Sequence, residues 1–164
     1  MNSSSKITSS GTRANRTGNR LEAFVEQTLI DHGYKLFFDH KKQLFATRDL
    51  VAGKQYGKHI LVGPTIYETP RYVDFLVLNK ERFPDGLVIE CKWQQAGGSV
   101  DEKYPFLMFN IARTAVPTII LLDGSGYKPA AKTWLESQAG KDRSLQHVWS
   151  MMDFQREMNN GFLG

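Results

Sequence analysis

Two apolar runs of this chain carry charge where charge is costly. Tyr72-Val73-Asp74-Phe75 holds an acidic residue, and Val88-Ile89-Glu90-Cys91-Lys92-Trp93 holds Glu-x-Lys. Charged side chains inside apolar strands are expensive unless something compensates them. Strand side chains alternate faces, so Glu90 and Lys92 project together and Cys91 points the other way. If the two runs pair as a hairpin with Leu78 near Gly86, Asp74 comes to lie opposite Glu90, with Cβ atoms roughly 4.5–5.5 Å apart. Carboxylates that close repel unless a cation sits between them. All-oxygen ligation completed by waters and substrate oxygens suits magnesium. Lys92, one pleat further, is placed to hold or activate a water and to stabilise negative charge developing on a phosphate. The rival reading is a buried Asp–Glu–Lys network with a purely structural role. Such networks are poor value for stability against apolar replacements, which favours a site.

The elements that must position these residues follow from pattern. A helical period starts at Asn19 with Leu21, Phe24, Val25, Thr28, Leu29 and Ile30, and Gly33 stops it. Lys35 to Phe38 reads as a strand. Gln43-Leu44-Phe45-Ala46 and His59-Ile60-Leu61-Val62 are strand candidates in a glycine-broken stretch. Arg71–Leu78 and Leu87–Trp93 are the firmest strands, joined by a turn placed at Phe83-Pro84-Asp85-Gly86. A helix is expected from Val100 to about Ala115, capped by Ser99 and with Pro105 near its first turn. Pro117–Leu122 is a buried strand, and 130–138 and 145–158 read as helices. This order implies an α/β fold, a central mixed β-sheet flanked by helices on both faces.

At 164 residues the chain is long enough for one unstapled core. Residues 1–17 read as a disordered basic arm and 18–164 as a single domain. The arm region has Lys6, Arg13, Arg16 and Arg20 without an acidic residue before Leu21. It suits either a solvated tail or a phosphate-contacting arm. One cysteine excludes an internal disulfide. No run is long enough to span a bilayer and no signal peptide is evident, so a soluble, cytoplasmic protein is expected. The formal charge of +4 leans weakly towards a polyanionic partner.

The pattern resembles the PD-(D/E)XK nuclease superfamily, the restriction-endonuclease-like fold, over roughly residues 18 to 125. Residue by residue, Asp74 matches the first acid, Glu90 the second and Lys92 the lysine. Glu22, in Arg20-Leu21-Glu22-Ala23-Phe24, matches a glutamate often supplied by the first helix. Val73 replaces the proline of the family's name. The Pro84-Asp85 pair is read as turn chemistry and not as the motif. The resemblance implies a magnesium-dependent DNA endonuclease, manganese substituting. Asp74, Glu90, the Cys91 carbonyl and Glu22 would hold the metal, and products would carry 5′-phosphate and 3′-hydroxyl ends. Gln94 and Lys103 are candidates for supporting the site or contacting phosphate. So small a chain suits a homodimer, or a cleavage subunit served by a larger DNA-recognition partner. A junction resolvase, a repair nickase, or a catalytically silent DNA-binding or assembly module of the same fold are the alternatives. The histidines show no ligand spacing, Cys91 reads as a small buried hydrophobe, and Trp93, Trp134 and Trp149 read as core. Asp123-Gly124-Ser125-Gly126 lacks the lysine of a phosphate-binding loop.

Overall fold

The computed structural model describes residues 10–38, 53–95, 101–141 and 143–164. Helix α1 (Ser10–Asp31) is followed by strands β1 (Lys35–Phe38), β2 (Gln55–Pro64), β3 (Pro70–Asn79) and β4 (Phe83–Trp93). A 3-10 turn (Asp101–Lys103) leads into α2 (Tyr104–Thr114), then β5 (Thr118–Asp123), α3 (Pro129–Ser137), β6 (Leu145–Trp149) and α4 (Met151–Asn159). Among the described residues, six strands form one sheet in sequence order. β2, β3 and β4 are an antiparallel meander, whereas β1 joins β2, β5 joins β4 and β6 joins β5 in parallel. Leu21, Val25 and Leu29 of α1 and Phe154 and Met158 of α4 bury one face of the sheet against Phe75, Ile89 and Leu121. Tyr104 and Ile111 of α2 and Leu135 of α3 cover the other against Ile120 and Leu122. The mixed, doubly covered sheet is the architecture expected.

Several boundaries differ from expectation. α1 starts at Ser10, so the arm read as disordered to residue 17 is helical from there. Once the amphipathic stretch nucleates the helix, each further residue adds a hydrogen bond at little cost. Residues 1–9, the Gln43–Ala46 strand candidate, His40 and the proposed Ser99 cap lie outside the described residues. The hairpin turn falls at residues 80–82 because Asn79 Oδ1 accepts from the backbone N–H groups of Glu81 and Arg82, at 3.2 and 3.3 Å, an Asx-type turn. Pro84 and Asp85 therefore open β4, with Gly86 at φ 77° absorbing the irregularity that follows Val77. Residues 145–149 are a strand, not helix: Val148 packs to one face and Trp149 to the other. Only after Ser150 does α4 begin, with Ser150 and Asp153 forming a reciprocal capping box. Trp93 and Trp149 pack against the core, but Trp134 is exposed.

The loop after β5 comes very close to the end of β4. Gln94 N–H donates to the Asp123 carbonyl and Gly126 N–H to the Gln94 carbonyl, each at 2.9 Å. Gly124 has φ 99°, and a Cβ there would lie 2.1 Å from the Gln94 carbonyl oxygen. Gly124→Ala is expected to cost about 3 kcal/mol from combined backbone strain and overpacking. Urea unfolding checks this; a midpoint like that of the parent chain would contradict the contact.

Candidate active site

β3 and β4 bring the charged residues together by an irregularity of the meander. Their pairing runs to Phe75↔Ile89, one step short of Asp74 and Glu90. At that point β3 turns over: Phe75 packs on the α1 face, while Val73 packs on the opposite face with Ile60 and Leu76. His59, on the neighbouring strand, has φ 52° at the same level. The Asp74 carboxylate takes the place of a ladder bond there, Oδ2 accepting from the Cys91 N–H at 2.7 Å. Asp74 consequently does not sit squarely against Glu90, as regular pairing predicts. Lys92 links them instead, its Nζ 2.8 Å from Glu90 Oε2 and 3.5 Å from Asp74 Oδ2.

The same turn-over delivers a residue that sequence parity hides. Arg71 would lie on the face away from Glu90 in a regular strand, yet its Nη2 donates to Glu90 Oε1 at 3.0 Å, with both side chains only 5–6% exposed. Arg71 also donates to Thr114 Oγ1 at the end of α2. The signal available in the sequence was a second charge in an apolar strand. Its face depends on the irregularity at Asp74, which alternation does not encode.

Two carboxylates thus meet two cations. Burial alone would push the Lys92 ammonium down, but Glu90 and then Asp74 outweigh it and hold the group above the ordinary lysine range. Burial pushes the Arg71 guanidinium below its usual range, with Glu90 opposing. On α1, burial and then the nearby Asp74 raise the Glu22 carboxyl, against the pull of His59, Lys58 and Lys92. Glu22 lies 3.9 Å from His59 Nε2, within electrostatic reach of Asp74. Burial, and then Asp74, push the Cys91 thiol well up, in keeping with a small apolar role.

Of the supporting candidates, Lys103 is exposed on the wall of a cleft of about 320 Å³ that also reaches Glu90 and Lys92. Gln94 is not free for phosphate. Its Nε2 donates to Asp101 Oδ1 and the Gly126 carbonyl at 3.2 and 3.1 Å, and its Oε1 accepts from Tyr104 at 2.8 Å. It ties the end of β4 to α2. Among the described histidines, His32 binds backbone carbonyls of Thr28 and Met158, and His147 stacks on Trp149.

A divalent cation fits the donor set in kind. The side-chain donors are all carboxylate oxygens, and Asp74 Oδ1 has no hydrogen-bond partner among the described residues. Among those residues no three His, Cys, Asp or Glu side chains enclose an ion by themselves.

An acid on one strand of a hairpin and Glu-x-Lys on the next, beside a helix-borne glutamate, is the arrangement of one nuclease superfamily. A family model described as the PD-(D/E)XK nuclease superfamily domain matches residues 13–162. The chain belongs to the PD-(D/E)XK nuclease superfamily. Its six-stranded mixed sheet with helices on both faces is the restriction-endonuclease-like core, and the match extends beyond residue 125 to take in β6 and α4. No curated protein and no solved structure matches the chain. Among the described residues, no helix is long and apolar enough to cross a membrane.

Proposed function

We propose that this PD-(D/E)XK protein is a magnesium-dependent DNA endonuclease, cutting one strand per site and leaving 5′-phosphate and 3′-hydroxyl ends. The observation that carries the reading is the meeting of Lys92 with Glu90 and Asp74, at 2.8 and 3.5 Å, beside an open cleft. Asp74, Glu90 and the Cys91 carbonyl would hold magnesium, with Glu22 as a further carboxylate. Bound there, magnesium would polarise a phosphoryl oxygen and lower the pKa of a coordinated water. Lys92 holds the attacking water by hydrogen bonding and places positive charge where the phosphate becomes more negative. Arg71 fixes the Glu90 carboxylate, and Lys103 contacts the phosphate backbone from the cleft wall. Breaking both strands requires a second site, from another copy or from a larger DNA-recognition subunit, or two successive nicks.

One observation favours a second reading. Arg71 and Lys92 already engage both oxygens of Glu90, and Lys92 also reaches Asp74 Oδ2, as in a silent DNA-binding or assembly module of the same fold. Supercoiled plasmid incubated with magnesium, manganese or EDTA separates the two. Metal-dependent conversion to nicked or linear DNA supports the endonuclease. DNA binding without cleavage in either metal, alone and with the product of the adjacent gene, supports the silent module.

A further inference from the structure

The cleft beside the site joins an apolar wall to a charged one, where Arg71, Glu90, Lys92 and Lys103 lie. It lies between the start of β3 and the first turns of α2, and Tyr72, Tyr104, Phe106 and Leu107 supply its apolar walls. Glu90 and Lys92 close one side, and Lys103 stands on its wall. Phe106 is held from the turn before β3 by stacking on Tyr67, ring centroids 5.2 Å apart at 24°.

Asn110 adds a directional group. It lines the cleft and is only 4% exposed. Its Oδ1 is engaged by the Ile66 N–H at 2.8 Å, which fixes the orientation of the amide. Its Nδ2 has no hydrogen-bond partner among the described residues and is not completely sealed from solvent. A donor without a protein partner, on a residue that lines the cleft, is available to an acceptor entering it. Aromatic and aliphatic walls, one donor, and lysines towards the catalytic end together match a flat heterocycle attached to a phosphate chain.

We propose that this cleft receives one unstacked nucleobase of the substrate strand, next to the phosphate held at Lys92. The inference rests on the nuclease reading and specifies its substrate class: DNA with an unpaired nucleotide at the cut, as in a single strand, a mismatch or a branch. Aromatic side chains reward a base that has left its stack, and an unpaired base leaves at least cost. Asn110 Nδ2 donates to a ring or carbonyl acceptor of that base, and Lys103 meets the flanking phosphate.

The test uses oligonucleotides carrying 2-aminopurine in EDTA, so that binding is read without cleavage. The 2-aminopurine is placed in a single strand, unpaired within a duplex, or fully paired, and a duplex with an abasic site serves as control. Binding about tenfold tighter to the unpaired-base duplex than to the paired or abasic duplex is expected, with a change in emission on binding. Phe106→Ala should remove about tenfold of that affinity. Asn110→Asp, which keeps an acceptor for Ile66 but loses the donor, should reduce the preference while preserving the fold. Equal affinity for unpaired-base and abasic duplexes, unchanged by either variant, overturns the inference. If plasmid is nonetheless cleaved with magnesium, the endonuclease reading survives without the base pocket. If no DNA is cleaved but the unpaired base is bound selectively, the pocket stands and the endonuclease reading falls.

Discussion

Lys92→Met is expected to lower magnesium-dependent cleavage by about a thousandfold while DNA affinity changes little. Methionine keeps the unbranched stem that crosses the Glu90–Asp74 gap and removes only the charge. Lys92 is 32% exposed and lines the cleft, so its ammonium reaches both the carboxylates and the space a phosphate would enter. A charge placed where the transition state gains negative charge contributes to rate far more than to ground-state binding. Some stability is lost too, because the buried Glu90 then keeps only Arg71 as a cationic partner, but less than on loss of Arg71, since Lys92 is 32% exposed and Arg71 is 5% exposed. Single-turnover cleavage, a binding titration and a thermal melt on one preparation separate the three quantities. A variant that still cuts within tenfold of the parent would remove Lys92 from the chemistry.

A large stability effect is expected at Arg71. Arg71→Met leaves Glu90, 6% exposed, with Lys92 as its sole cationic partner, and removing one member of a buried pair costs about 3–5 kcal/mol. Because Lys92 remains 2.8 Å from Glu90, the lower end, about 3 kcal/mol, is expected from urea unfolding. The charge balance also changes. In the parent chain two cations answer two carboxylates; in the variant one does. Millimolar magnesium should therefore raise the unfolding midpoint of Arg71→Met more than that of the parent, by mass action on the folded state. A loss below about 1 kcal/mol would show that Arg71 is not the counter-charge of Glu90. Equal responses to magnesium would count against Glu90 as a metal ligand.

The sheet was largely legible because its strands are long, apolar and β-branched. The Leu78–Gly86 register predicted from alternation agrees with the observed Val77↔Leu87 and Leu76↔Val88 pairs. Lys92 between two acids was legible for the same reason. What alternation missed lies where backbone geometry departs from it. Arg71 joins the cluster only because β3 turns over at Asp74. The hairpin turn sits at 80–82 because the Asn79 side chain caps it, although Pro84-Asp85-Gly86 has the stronger turn composition. Gln94 has the right face for the site, but Tyr104 and Asp101, distant in pattern terms, engage its amide. The 145–149 segment has apolar spacing compatible with helix, and pairing along the exposed edge of β5 decides for strand.

The turn-over in β3 has a consequence for how the site is made. Arg71, Asp74, Glu90 and Lys92 all belong to one hairpin, so their mutual placement is inherited from contacts between near neighbours in the chain. Such contacts cost less chain entropy to close than the parallel additions of β1, β5 and β6, which span longer loops. Fidelity depends on the turn-over at Asp74 and on the register of β3 on β4, since a slip of one residue would carry Glu90 and Lys92 to the α1 face. The Asn79 cap and the bulge at Gly86 guard that register. Residues far from any phosphate thereby act as the proofreaders of the charge cluster, and a chain that errs there yields a protein with no site at all, not a weakened one.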